Sequence, residues 1–358
     1  MAYDKDIHVT SNVPGAMVPQ REPGFSRPHL YGLLVHSTTN VGDDIQSLAA
    51  MQFLPRVDAF IDRDATQLYK SPHPVKVIMN GWFTHKPENW PPSEAIEPLF
   101  VSFHLTPSAV ERVLSEEGVA YLKRFAPIGT RDFFTQRVLE EYGIPAYFSG
   151  CLTLTLGNLL KVPKIKGQIL IADLEPEAEK LLPSTLTNQA IRISNSHSPG
   201  LDSALKKLSG FGPYRAAKEL IKVFLPKRSL EKLDYKLRST LARGITLHHR
   251  LSAAMARLFV IASSEAVITS RLHVALPALG FGVPVLFIHR NLSDPRFEGL
   301  LPLLRHYDLA SFAKEARSID WASMENPSPQ AVLQIKHQLI ASIQSFLLSA
   351  QGPERGKS

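Results

Sequence analysis

Short apolar runs alternate along this chain with segments whose apolar residues recur at helical spacing. HLYGLLVH (29–36) is apolar, STTNVGDD is polar, and IQSLAAMQFL repeats its apolar positions on one helical face. That pattern predicts strand, loop and helix. VDAFID (57–62), VKVIMN (75–80), PLFVSFHL (98–105) and FAPIGT (125–130) predict further strands. Pro107 opens a helix, and Thr130-Arg131-Asp132 opens another, FFTQRVLEEYG, which Gly143 stops. PAYFSG returns to a strand, and CLTLTL follows it.

A second series begins after KVPKIKG (161–167). QILIADL (168–174), AIRISNSH (190–197), AVITS (266–270) and VPVLFI (283–288) predict strands. RLSAAMARLFVIASS (250–264) is an amphipathic helix, and VALPALGFG is helical in part. AVLQIKHQLIASIQSFLLSAQ (331–351) closes the chain with helical spacing. Strands alternating with helices on both sides of a linker predict an α/β protein with parallel, doubly wound sheets. The expected division is a flexible segment 1–29, a Rossmann-like domain 30–160, a second one 168–310 and a C-terminal helix 327–351 that crosses back to the first. A cleft lies between the two domains in this reading.

Size and charge sharpen the picture only in places. The chain has 358 residues, 44% of them hydrophobic, which is ample for two cores. The formal net charge is +7, a modest field that favours anionic partners without naming one. Residues 201–243 hold 11 Lys/Arg against 4 Asp/Glu, so this insertion alone is worth +7. Its ordinary reading is a solvated helical face; the alternative is a basic amphipathic surface for an anionic lipid or polymer. Nucleic acid is not expected, since no aromatic-interleaved platform accompanies the charge. The single cysteine, Cys151, rules out an intrachain disulfide framework and suits a reducing cytosol. No apolar stretch is long and unbroken enough to span a membrane, and the polar N-terminus has no secretory signal.

Candidate chemistry gathers at the predicted carboxyl ends of strands, where open α/β sheets collect ligands. Arg271 and His273 follow AVITS at the start of a helix. A guanidinium there can grip a phosphate or carboxylate through paired hydrogen bonds, and an imidazole can move a proton near neutral pH. The ordinary reading is a structural ion pair and a satisfied interior histidine. Arg131 holds the equivalent place in the first half, with a salt bridge to Asp132 as its ordinary reading. Arg296, in NLSDPRFEGL, follows the next strand of the second half and reads by default as a surface arginine. Asn40, Gly42 and Asp43 mark a helix start whose N–H groups suit an anion. There is no glycine-rich dinucleotide fingerprint, no phosphate-binding Walker loop and no nucleophile elbow. No histidine shows metal-ligand spacing with carboxylates or cysteines. Cys151 reads as a small packing residue.

Three motifs in order, NVGDDIQSLAA, FAPIGTRDFFTQRVLEEYGI with AYFSGCLTLTL, and ITSRLHVALPALGFGVPV, resemble the polysaccharide pyruvyl transferase family over roughly residues 30–300. The resemblance implies two Rossmann-like domains in a GT-B-like arrangement. It also implies transfer of the pyruvyl group of phosphoenolpyruvate onto two hydroxyls of a sugar, as a cyclic ketal in cell-surface or exopolysaccharide synthesis. By position it assigns catalysis to Arg131, Arg271 and His273, and it places Arg296 where relatives carry a lysine. The sugar acceptor is a polysaccharide or a lipid-linked oligosaccharide; no cofactor and no metal are implied. A cytoplasmic protein follows, with weak, salt-sensitive attachment of 201–243 to the inner face of the membrane. Two other readings share the fold: a glycosyltransferase using a nucleotide sugar, and a non-catalytic glycan- or polyanion-binding protein.

Overall fold

The computed structural model describes residues 29–36, 38–83, 86–197, 247–321 and 323–349. The basic insertion 201–243, with the membrane attachment expected of it, lies outside the described residues, as do 1–28 of the N-terminal segment.

Two parallel sheets carry the fold. The first contains β1 (Leu30–Val35), β2 (Ala59–Asp62), β3 (Val75–Trp82), β4 (Ile96–His104), β5 (Ile128–Thr130) and β6 (Ala146–Phe148), in the order β2-β1-β3-β4-β5-β6. The second contains β7 (Ile169–Ala172), β8 (Ile191–Ile193), β9 (Ala266–Thr269), β10 (Val285–Ile288) and β11 (Arg305–Tyr307), in the order β11-β10-β9-β7-β8. The winding is the same in each. The chain steps outward one way from the first strand, then returns to its other side for the third. The order therefore reverses between β1 and β3, and again between β7 and β9, which opens a crevice at those strand ends.

β9 and β10 are buried along their whole length, which is why AVIT and VLFI stand out as unbroken apolar runs. β11 is a three-residue edge strand of sequence RHY, polar and half exposed, and no apolar run announces it. CLTLTL becomes a 3-10 turn, Leu152–Asn158, whose leucines are buried. Helices of nine residues or more among the described residues are α1 (Val41–Met51), α2 (Glu116–Arg124), α3 (Phe133–Glu141), α4 (Leu247–Ser263), α5 (Leu272–Gly280) and α6 (Pro329–Leu348). The helix expected from Pro107 is a short 3-10 turn and one helical turn before α2. No helix of the described residues is long and apolar enough to cross a membrane.

One apolar cluster joins the two sheets. It takes Leu33, Val35, Ile45 and Leu48 from the first half, Leu170, Val267 and Phe287 from the second, and Val332, Leu339 and Ile343 from α6. All of α1 is buried, so its polar residues must find partners inside the protein. Asp44 receives Arg250 of α4 at 3.1 Å and His197 at 2.6 Å, and Ser47 donates to the Leu34 carbonyl at 2.7 Å. These polar contacts fix α1 between the two sheets.

A bulge in β4 matters for the site. Met79 pairs with Phe100 but Gly81 pairs with Phe103, so β4 carries one extra residue against β3. Ser102 takes a positive φ of 56° there, and its N–H is accepted by Ser149 Oγ at 2.8 Å. Phe100 and Phe103 consequently share one face, edge to face at 5.4 Å, in a cluster with Trp90 and Tyr121. The next residue, His104, is turned away from that cluster.

The last helix ends on the first sheet. Lys76 of β3 is fully buried and donates to the carbonyls of Phe346 and Ser349, at 2.7 and 2.6 Å, and to Ser349 Oγ. Glu97 lies 3.6 Å from the same ammonium. Burial pulls the Lys76 pKa down, against the opposing pull of Glu97. Replacing Lys76 with methionine should cost about 2–4 kcal/mol, because the end of α6 loses its donors and Glu97 its cation. The urea midpoint would report the loss; an unchanged midpoint would mean the contact carries no net stability.

Candidate anion site

The crevice ends of the two sheets meet along α1 and the start of α5. Arg271 is the N-terminal cap residue of α5, and Thr269 Oγ1 accepts its backbone N–H at 2.9 Å. Its side chain crosses the crevice between β9 and β7 to Asp173, Nε to Oδ2 at 3.1 Å, and remains 58% exposed. A guanidinium with one edge held and the rest in solvent is positioned and still able to bind.

His273 is the second residue of α5, at a kink (φ −83°, ψ 20°), half-buried against α1. The Gln46 amide lies 2.9 Å from its Nε2. A Cβ on Gly42 would stand 2.9 Å from His273 Cβ and Nδ1, so only glycine lets the two helices approach this closely. Burial, then the charge of Arg131, pull the His273 pKa down to about 3, against Asp43; Arg296 and His104 push the same way as Arg131. His273 is therefore neutral at pH 7 in the empty site. With Gln46 donating to Nε2, the ring carries its proton on Nδ1; a rotated amide would accept from Nε2–H instead, so Gln46 can serve either ring state.

Arg131 follows β5 and is buried. Its Nε is 3.7 Å from Asp132 Oδ2 and has no hydrogen-bond partner. The expected Arg131–Asp132 bridge is thus a long one. Asp132 is the N-cap of α3 and is spent elsewhere: Oδ1 accepts from Thr135 N at 2.9 Å and Thr135 Oγ1 at 2.7 Å, and Oδ2 lies 2.5 Å from His104 Nδ1. Buried cations are ordinarily paired, and an unmet guanidinium Nε in a crevice marks a place for an anion.

Arg296 comes to the same place from the second half. The first N–H of α3, that of Phe133, donates to the Glu298 carbonyl at 3.2 Å, and Arg137 pairs with the Glu298 carboxylate at 2.6 Å. The 296–298 turn therefore abuts the helix start next to Arg131. Arg296 lies 3.2 Å from Asp294 and donates to His289 Nε2 at 3.3 Å. Burial pulls its pKa below the usual arginine range, against Asp294, and the charges of Arg131 and Arg271 add to the effect. The sequence default of a surface arginine holds in part: 43% of the side chain is exposed, while Nε is buried without a hydrogen-bond partner.

The start of α1 differs from its expected role. Its first three N–H groups are occupied: Val41 by the Asn195 carbonyl at 3.0 Å, Gly42 by Asn40 Oδ1 at 3.0 Å, and Asp43 by the Asn40 carbonyl at 3.2 Å. The Asp43 carboxylate is buried against Arg63 at 3.2 Å and takes the Thr38 hydroxyl at 2.7 Å. Asp43 remains ionised to very low pH, because Arg63, His36 and the Thr38 hydroxyl outweigh the larger desolvation cost. Asn40, Gly42 and Asp43 thus shape the contact with α5 and offer no free amide cradle. The reason is local: the residues before the insertion, Asn195–His197, lie across this helix start.

His104 was passed over in the sequence. It ends β4, is buried, and holds Asp132 through Nδ1. The same position rule that singled out Arg131 and Arg271 also applies to it. Cys151 is buried with Sγ 3.1 Å from Thr153 Oγ1, and burial pushes its thiol pKa up against the opposing charge of Arg131.

Fold and site define an α/β protein with two doubly wound sheets, whose strand ends gather three arginines and two histidines from both halves of the sequence. A family model described as polysaccharide pyruvyl transferase matches residues 40–291, and the chain belongs to that family. No curated protein matches it. Among solved structures, that of E. coli ADP-heptose lps heptosyltransferase II aligns over 89% of this chain and 99% of the other, at 11% identity and a TM-score of 0.24, a likeness too low to inform fold or function.

Proposed function

We propose that the protein transfers the pyruvyl group of phosphoenolpyruvate to two hydroxyls of a sugar, forming a cyclic ketal and releasing phosphate. The observation that carries this reading is the buried Arg131 guanidinium, whose Nε is unmet, beside Arg271, Arg296 and a neutral His273. Phosphoenolpyruvate brings a phosphate and a carboxylate, and separate cations suit the two groups. Arg131 and Arg296 would hold the phosphate as charge develops on it, and Arg271 would hold the carboxylate. Asn40, Gly42 and Asp43 support the site from α1. The two sheets would be the cores of two Rossmann-like domains in a GT-B-like arrangement, joined through 161–167.

His273 would move the proton. The chemistry needs an acid at the methylene carbon, and the empty site keeps His273 neutral. A bound trianion opposes the arginine field that pulls its pKa down, so the imidazolium becomes available once the donor is in place. Protonating the methylene makes the adjacent carbon electrophilic toward the first sugar hydroxyl. The neutral ring then accepts the proton of the second hydroxyl as phosphate leaves.

The test is incubation with phosphoenolpyruvate and a panel of hexose glycosides bearing free hydroxyl pairs. The expected result is acceptor-dependent phosphate release and a product heavier by one pyruvate less one water. Phosphate release without a gain in acceptor mass would contradict ketal formation. A nucleotide sugar as the only accepted donor would favour the glycosyltransferase reading.

A further inference from the structure

Ketal formation, on the reading above, needs two hydroxyls deprotonated, and His273 can accept only one proton per cycle if it has just given one up. A second proton carrier is required, and one further histidine stands in the same field. His104 is 4% exposed at the carboxyl end of β4, turned there by the bulge at Ser102. Its Nδ1 lies 2.5 Å from Asp132 Oδ2, with Thr135 Oγ1 at 3.5 Å. Among the described residues its Nε2 makes no hydrogen bond. Asp132 is itself fixed by Thr135 N and Oγ1. A carboxylate on Nδ1–H leaves the Nε2 lone pair free, and it stabilises the imidazolium formed when that nitrogen takes a proton. Charged and titratable groups facing His104 are Arg131 and Asp132 from the β5–α3 junction, Asp294 from the loop after β10, and His273 from α5.

We propose that His104, oriented by Asp132, is the second proton-transfer residue: it removes the proton of the first attacking hydroxyl and returns it to the departing phosphate. The accounting closes over one turnover. The proton of the first hydroxyl passes to His104 Nε2 as its oxygen bonds to the central carbon and the methylene takes a proton from the His273 imidazolium. The proton of the second hydroxyl then passes to neutral His273 as its oxygen bonds to the same carbon. The carbon–oxygen bond to phosphate breaks with its electron pair on oxygen, and the His104 imidazolium protonates that oxygen. Both histidines end as they began, and no other reactant is consumed. Asp132 acts through His104 and is a positioning residue.

The proposal rests on the donor assignment, and its test separates the two. Wild type must first release phosphate from phosphoenolpyruvate in the presence of a hexose glycoside; if it does not, the donor reading itself fails. With that activity in hand, H104Q should lose about 10²–10³-fold in kcat and change KM for phosphoenolpyruvate less than about threefold. A folded H104Q that binds phosphoenolpyruvate and keeps more than about a third of kcat overturns the proposal. D132N is the second arm, decisive if H104Q does not fold. Removing a carboxylate that favours the imidazolium should move the acid limb of kcat to lower pH by about one unit or more. An acid limb left in place in D132N would mean that Asp132 and His104 are structural, and would also overturn it.

Discussion

Replacing Arg131 with glutamine is expected to lower kcat/KM for phosphoenolpyruvate by about 10²–10³-fold while leaving the protein folded. Each charge-assisted hydrogen bond to a bound anion is worth about 1.5–3 kcal/mol, and a guanidinium can make two in parallel. Lysine should recover less than about tenfold, because an ammonium cannot reproduce the paired geometry. Stability should move the other way. Arg131 is buried with Nε unmet and its neighbouring carboxylate committed to Thr135 and His104, so its removal relieves a desolvated charge. R131Q should therefore unfold at an equal or higher temperature without ligand, and should lose the upward shift that phosphoenolpyruvate gives wild type. A large fall in unliganded stability would mean that Arg131 is structural.

The second large effect is at His273. H273Q should lose about 10²–10⁴-fold in kcat with phosphoenolpyruvate binding largely retained, since the ring moves a proton and does not supply the charge that holds the donor. The pH behaviour carries a sign. The ring titrates at about 3 in the empty site because of burial and Arg131. Its charged form is thus absent above about pH 4 until an anion offsets the arginines. Proton-resolved NMR of the His273 ring should show no titration between pH 8 and 5 without ligand, and a rise in its pKa when phosphoenolpyruvate is added. A normal midpoint in the free protein would contradict the placement of His273 within the arginine field.

Why some of this was legible in sequence follows from how each part is buried. β9 and β10 are buried on both faces and appear as short apolar runs, and β3 is recognisable although Lys76 and Asn80 interrupt it; β11, polar and at an edge, gives no such signal. Arg131, Arg271 and His273 could be singled out because each follows an apolar run and opens a helix. His104 also ends a strand, but it sits inside the run VSFHL and opens no helix, and the bulge that turns it comes from a positive φ at Ser102 that a serine does not advertise. Of the three amides at the start of α1, Gly42 and Asp43 are taken by the neighbouring Asn40, a cap that the sequence could have shown, and only Val41 has a distant partner, the Asn195 carbonyl 154 positions on, 195 − 41. The pairing of Asp43 with Arg63, both buried, is also hidden, since nothing in the sequence pattern joins these two positions. The sequence pattern locates strand ends; it does not say which polar groups at those ends are already satisfied.

The most direct measurement of the central claim is a calorimetric titration of phosphoenolpyruvate into the full chain, run beside UDP-glucose and beside R131Q. Saturable binding of phosphoenolpyruvate to wild type, lost in R131Q and not matched by UDP-glucose, is the predicted result. Binding of UDP-glucose alone, or phosphoenolpyruvate binding that survives in R131Q unchanged, would contradict it.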